Sequence, residues 1–138
     1  MDSNASAITV SSLDLARLES LLDSASARDA EGATALRREL ARARVVEPAD
    51  MPDDVVSMNS TVRVVDAADG SERELTLAYP RDADGTRGRV SVLAPVGSAM
   101  LGLRVGQSIE WPLPGGRTAH LRIAGIRYQP EASGDLHR

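Results

Sequence analysis

Ala94-Pro95-Val96-Gly97-Ser98-Ala99-Met100-Leu101-Gly102-Leu103-Arg104-Val105-Gly106 decides the fold, because it is a lone helix signal in a region that otherwise alternates in steps of two. Val96 to Leu103 reads as one short helix, ended at Gly106. Upstream, Ser60 to Val65 is a candidate strand, Asp66-Ala67-Ala68-Asp69-Gly70 carries hairpin-turn chemistry, and Glu72 to Tyr79 should pair back on that strand. Pro80 to Gly88 reads as a polar loop and Arg89 to Ala94 as a third strand. Downstream, Gln107 to Leu113 forms a fourth strand, Pro114-Gly115-Gly116 turns the chain, and Arg117 to Tyr128 forms a long fifth. That order predicts an α+β fold: a mostly antiparallel sheet with one helix against a face.

Ahead of this region the texture differs. Residues 1–50 hold six Arg against nine acids, with a single Gly and a single Pro; residues 51–138 hold ten Arg against eleven acids, with ten Gly and six Pro. Ser11 and Ser12 are N-cap candidates, and Ser11-x-x-Asp14 is a variant of the capping box. Leu15, Leu18, Leu22 and Ala25 then follow helical spacing, and Leu36, Leu40 and Ala43 repeat it. Arg28-Asp29-Ala30-Glu31-Gly32 offers charges and a breaker but no apolar anchor, so the turn belongs there. The expectation for residues 8–47 is a helical hairpin, each arm roughly 20 Å long, whose short antiparallel helices depend on each other. Glu47-Pro48 through Met51-Pro52 is the expected linker, and residues 48–138 the second domain.

Composition narrows the function. The chain has 138 residues, 42% of them apolar, with sixteen Arg, no Lys, twenty acids and a net charge of -4. A core is affordable and bulk disorder is not expected. Without Cys there is no disulfide framework, thiolate metal site or thiol nucleophile. Apolar runs are too short for a membrane-spanning helix, and Met1-Asp2-Ser3-Asn4 does not open a signal peptide, so the expected compartment is the cytoplasm. A mildly acidic chain lacks the basic excess that phosphate neutralisation requires, so any contact with nucleic acid is expected to be indirect.

Few residues offer chemistry. His120 sits mid-strand without an acidic or imidazole neighbour at ligand spacing, and His137 is penultimate, so neither suggests a metal. No Gly-x-Ser-x-Gly elbow accompanies the serines. Gly97, Gly102 and Gly106 are not followed by Gly-Lys-Ser/Thr, so a phosphate loop cannot be built, and these glycines are expected to terminate or tightly pack a helix. Asp29 and Glu31 lie at the expected hairpin tip, where both carboxylates could enter a partner's site; a solvated turn is the alternative. Asp53-Asp54 and Asp82/Asp84 are assigned to solubility. No cofactor and no resident metal are expected.

The stretch Ala94 to Gly106, with Ser108-Ile109-Glu110-Trp111-Pro112-Leu113-Pro114-Gly115-Gly116 after it, resembles the signature of the C-terminal domain of the Gre transcript-cleavage factors. Met51-Pro52-Asp53-Asp54-Val55-Val56, Met58-Asn59-Ser60-Thr61-Val62 and Tyr128-Gln129-Pro130-Glu131-Ala132-Ser133-Gly134-Asp135 resemble more specifically the Rnk family, regulators of nucleoside diphosphate kinase. The resemblance spans about residues 8 to 136. It implies a short N-terminal coiled coil joined to an FKBP-like domain. It also implies a partner, RNA polymerase, with the globular domain docked at the rim of the secondary channel and the hairpin entering it.

In Gre factors a longer coiled coil delivers tip carboxylates that help hold a catalytic magnesium. Here the hairpin is short and Asp29-Ala30-Glu31 is spaced differently from the Leu-x-Glu-Asn-x-Glu-Tyr type of tip. Oxygen ligands must approach magnesium to about 2 Å, so a tip that stops short takes no part in cleavage. The leading reading is therefore a monomeric, non-enzymatic transcription regulator that occupies the channel and competes with Gre factors. Asp29 and Glu31 form its tip, and Val96, Gly97, Ser98, Met100 and Arg104 its docking segment, with Leu101, Leu103 and Val105 assigned to the core. The alternatives are a true cleavage and elongation factor, or an adaptor acting directly on nucleoside diphosphate kinase or another nucleotide-metabolism enzyme. A prolyl-isomerase reading fails for want of aromatics, since Tyr79, Trp111 and Tyr128 are the full set.

Overall fold

The computed structural model describes residues 8–24, 33–83, 88–112 and 114–135. Asp29 and Glu31, the turn expected at 28–32, Ala25, Asp84 and His137 lie outside the described residues.

The N-terminal part opens on a strand, β1 (Thr9–Ser11), which runs into α1 (Ser12–Leu22); α2 (Ala33–Ala41) runs into β2 (Arg44–Val46). Ser11 caps α1 as expected, its hydroxyl accepting from the Asp14 N–H at 3.1 Å. Leu18 and Leu22 of α1 and Ala33, Leu36 and Leu40 of α2 are buried, so the leucine spacing marks the inward face. Arg37 of α2 donates to the Leu22 carbonyl at 2.6 Å, satisfying one of the acceptors left open at the end of α1. At 1.5 Å per residue the two helices are about 17 and 14 Å long. The strands that bracket them were not expected from sequence. They pair in parallel, Thr9 opposite Arg44 through Ser11 opposite Val46. Three residues are too few to display a period of two.

The linker forms a 3-10 turn at Pro48–Asp50, and the remainder builds β3 (Thr61–Asp66), β4 (Glu72–Ala78), β5 (Arg89–Ser91), α3 (Pro95–Met100), β6 (Ser108–Pro112) and β7 (Thr118–Tyr128). The sheet order is β5-β4-β3-β7-β6. The β3–β4, β3–β7 and β6–β7 pairs are antiparallel and β4–β5 is parallel, so the expected mixed α+β class and mostly antiparallel sheet hold. In the β3–β4 turn, Asp66 and Asp69 accept from the Ala68 and Ser71 N–H groups at 2.8 and 2.9 Å, the Asx chemistry that the sequence advertised. Two register shifts, at Thr61/Val62 and Arg63/Val64, interrupt the β3–β7 ladder. Each bends the strand and sharpens its twist, so the sheet curls.

Two elements are shorter than their sequence signals. β5 stops at Ser91, whose hydroxyl takes the Leu93 N–H at 3.1 Å and turns the chain toward α3. α3 stops at Met100 because Leu101 is extended (φ -60°, ψ 127°) and Gly102 is left-handed (φ +80°). One continuous core joins both parts: Leu18, Leu22, Leu36 and Leu40 pack in the same cluster as Val62, Val64, Leu75, Leu77, Met100, Leu121 and Ile123. Of the three residues assigned to the core after α3, Leu101 is buried and Leu103 packs partly against the cluster, but Val105 is 40% exposed. Its own N–H is spent on the Asp54 carbonyl, 2.9 Å away, which holds that turn at the surface.

Candidate functional site

The polar interior of the protein is gathered where α1 meets the curled sheet. Ser11, Asp14, Ser57, Ser60 and Gln129 are all at most 3% exposed, and buried polar groups on this scale must be hydrogen-bonded or they cost stability. The Asp14 carboxylate does not close a capping box on its own helix. It reaches across to the Met58 N–H at 3.1 Å. Ser60 Oγ accepts from the Ser57 N–H at 3.0 Å and lies 2.9 Å from Ser57 Oγ, which in turn donates to Glu131 at 2.7 Å. The Gln129 amide donates to the carbonyls of both Pro52 and Val55 at 2.7 Å and accepts from the Ala132 N–H.

The segment Met51 to Ser60 is therefore a junction rather than a spacer. Its backbone also bonds the turn after α3: Val56 N–H to Leu103, Gly102 N–H to Val56, and Val105 N–H to Asp54, at 2.8 to 2.9 Å. Asp54, assigned from sequence to solubility, faces Arg104 at 3.7 Å across that contact. The pair is about half exposed and adds little to stability, so its role is positional.

Burial pushes the Asp14 carboxyl up to about 7; the Met58 N–H bond opposes this, Glu131 adds to it, and Arg17 counters it. Tyr79 lies beside the same group. Its hydroxyl is buried, with the Arg17 side chain beside it but outside strict hydrogen-bond geometry; burial and then the nearby Asp14 charge raise its pKa, and Arg17 opposes them.

The five docking candidates are divided by the structure. Val96, Gly97, Ser98 and Met100 face inward, while Arg104 is exposed. Gly97 is obligatory for a steric reason: a Cβ there would lie 1.9 Å from the Ser91 carbonyl oxygen and 3.1 Å from Val92 Cα, so α3 sits backbone-to-backbone on β5. Gly102 combines its positive φ with a Cβ position 2.3 Å from Ile8 Cβ, so the chain leading into β1 docks on this turn. His120 is exposed on β7 opposite Glu110 of β6. Among the described residues, no group of three or more His, Cys, Asp or Glu is placed to hold a metal ion, and no helix is long and apolar enough to cross a membrane.

Sequence reasoning missed the junction because the bonds that join its segments, Asp14 to Met58, Ser57 to Glu131 and Gln129 to Pro52 and Val55, are non-local. Ser11-x-x-Asp14 was the trace singled out in the sequence, and it signalled the cap without revealing where the carboxylate goes.

Comparison with known proteins adds the following. Residues 51–128 match the family model described as transcription elongation factor, GreA/GreB, C-terminal, and residues 7–46 match the one described as Rnk N-terminus. The regulator of nucleoside diphosphate kinase of Escherichia coli K12 is 46% identical over 128 residues, 93% of this chain and 94% of that protein. Transcription elongation factor GreA of Thermodesulfovibrio yellowstonii is 33% identical over 94 residues, 68% of this chain and 59% of that protein. A solved structure described as prokaryotic transcription elongation factor GreA/GreB from Nitrosomonas europaea superposes with a TM-score of 0.79 at 48% identity, covering 89% of this chain and 99% of that one. GreA factor homolog 1 of Thermus thermophilus, at 19% identity and a TM-score of 0.50, shares the fold over 89% of this chain and all of that one.

Proposed function

The chain belongs to the Rnk family of regulators of nucleoside diphosphate kinase, whose C-terminal part is a GreA/GreB domain, and from that premise we propose that it binds RNA polymerase at the secondary channel and competes there with Gre factors without stimulating transcript cleavage. What supports this reading is the pairing of a GreA/GreB C-terminal match over residues 51–128 with helices that run, within the described residues, for 11 and 9 residues. A docking domain of the elongation-factor kind combined with so short a reach favours occupancy over delivery of a metal ligand. In this reading α1 and α2 are the arms of the hairpin and coiled coil that enter the channel, the FKBP-like domain stays at the rim, and Asp29 and Glu31 face the channel. The regulation of nucleoside diphosphate kinase in the relative's name is then an effect transmitted through transcription.

Arg104 is the docking candidate that reaches solvent, so contact with polymerase is assigned to its surface. Val96, Gly97, Ser98 and Met100 act beneath it by fixing α3. The test is capture of core RNA polymerase by the protein, repeated with excess Gre factor. Capture should be abolished by the competitor and weakened several-fold by Arg104→Glu, whose loss of one exposed ion pair leaves the thermal midpoint nearly unchanged. Absence of capture at micromolar protein, or capture indifferent to the competitor, overturns the assignment.

The double substitution Asp29→Ala with Glu31→Ala probes the tip. Effects on transcription in a reconstituted assay should weaken while capture and thermal stability persist. Unaltered transcription removes both residues from the mechanism. Shortening of transcripts in stalled complexes would instead favour a cleavage factor.

A further inference from the structure

A cleft of about 890 Å³ opens between α1 and the neighbouring ends of β3, β4, β5 and β7. Three arginines line it from three separate elements: Arg17 on α1, Arg81 in the 3-10 turn Pro80–Asp82, and Arg89 on β5. Among the described lining residues Asp82 is the single carboxylate against three arginines, a cationic balance on a chain whose net charge is -4. The ties that hold Arg81 and Arg89 are slight. Arg81 faces Asp82 at 4.0 Å with its side chain 87% exposed, and Arg89 donates to the Asp82 carbonyl at 3.3 Å. Contacts of that length and exposure are surrendered at little cost. Leu21, Ala78, Tyr79, Pro80 and Tyr128 supply an apolar and aromatic part of the lining, and Ser20, Asn59 and the hydroxyls of Thr61 and Thr76, 2.8 Å apart, a neutral polar part.

We propose that this cleft binds a phosphorylated organic molecule of nucleotide size, with its phosphates on the arginines and its ring against the tyrosine wall. Guanidinium groups match phosphate oxygens in fork geometry and are the preferred side chains for that recognition. The volume lies within the range of small-molecule sites, and an apolar wall with a few convergent polar groups is their usual composition. Because Arg17 belongs to α1 while Arg81 and Arg89 belong to the sheet side, the occupant bridges the two parts and stabilises their association by mass action. The site is independent of polymerase, so its failure would leave the docking proposal standing.

The test is calorimetric titration of the full chain with ADP, AMP and inorganic pyrophosphate at fixed ionic strength. Saturable binding is expected, several-fold tighter for ADP than for AMP, and about tenfold weaker for each arginine removed in the variant Arg81→Ala with Arg89→Ala. Both side chains are exposed, so that variant should keep its ligand-free thermal midpoint, which verifies that it is folded. No heat at millimolar ADP, or binding indifferent to the double substitution, overturns the proposal. So does pyrophosphate binding as tightly as ADP, which would leave the tyrosine wall without a role. An oligo-aspartate peptide binding more tightly than ADP would make the cleft a peptide site and likewise overturn it.

Discussion

Gly97→Ala should be among the most damaging single-methyl additions the protein can receive. The new Cβ would lie 1.9 Å from the Ser91 carbonyl oxygen and 2.7 Å from the Ser91 carbonyl carbon. Both are backbone atoms, so no rotamer change relieves the clash. Either α3 lifts off β5 or the Ser91-Val92 turn opens, and both movements uncover Val96, Met100 and Val92, which are at most 6% exposed. Overpacking commonly costs 1–3 kcal/mol, and a clash with fixed backbone belongs at the upper end, about 3 kcal/mol or more. For a chain of this size that lowers the thermal midpoint by roughly 10 °C. Ala99→Ser, on the exposed face of the same helix, should change it hardly at all. A Gly97→Ala protein melting within a degree or two of the parent would show that α3 does not lie against β5 as described. The same variant should lose polymerase capture along with its fold, which separates it from Arg104→Glu.

The second large effect is a dependence of stability on pH that one substitution removes. Asp14 has its carboxyl raised to about 7 by burial, against an ordinary value of 3.8. The native state therefore holds a proton that the unfolded chain has released. The associated stability is complete below about pH 4, declines as pH rises, and is fully lost once pH passes 7. Between pH 5 and pH 8 this one group should remove roughly 2–3 kcal/mol. Asp14→Asn keeps an oxygen for the Met58 N–H and carries no charge, so its denaturant midpoint should show a flatter pH profile and exceed the parent's at pH 8. Asp14→Ala should instead be less stable at every pH, because the Met58 N–H loses its acceptor, a deficit of about 1–3 kcal/mol for a buried donor. The groups facing Asp14 are Glu131 and Tyr79 from the sheet side and Arg17 from its own helix. Parallel profiles for parent and Asp14→Asn would mean that Asp14 is ionised and solvated at neutral pH.

How much could be read beforehand follows from the range of each signal. The strands of the curled sheet, the leucine faces of both helices and the Ser11 cap rest on residues within a few positions of one another, and apart from the short β5 they lie where periodicity and turn chemistry put them. The parallel pairing of β4 with β5 was not legible, because direction is set by the path through Pro80 to Gly88 rather than by the composition of either strand. The junction was not legible either. Its bonds link Asp14 to Met58 and Ser57 to Glu131, 44 and 74 positions apart, and each serine alone looks like a turn residue. For the docking segment, sequence located α3 but not its orientation. Burial of Val96 and Met100 is decided by which side of a six-residue helix meets the sheet, and Arg104 is exposed because the chain has already turned at Gly102.

The parallel pairing of β1 with β2 closes the chain between Thr9 and Arg44 into a loop whose two ends are fastened at its base. For such a closed loop the entropy of closure grows only logarithmically with contour length, about 0.6 kcal/mol for each doubling. The clasp also sits in the same core as the sheet, through Val10. Residues inserted between Ser24 and Ala33 would lengthen that loop without removing the core contacts made by Leu18, Leu22, Ala33, Leu36 and Leu40. Reach beyond Leu22 and Ala33 is thus nearly decoupled from the stability of the body, so a chain built this way can become longer in reach by insertion there, with its attachment to the body unaltered.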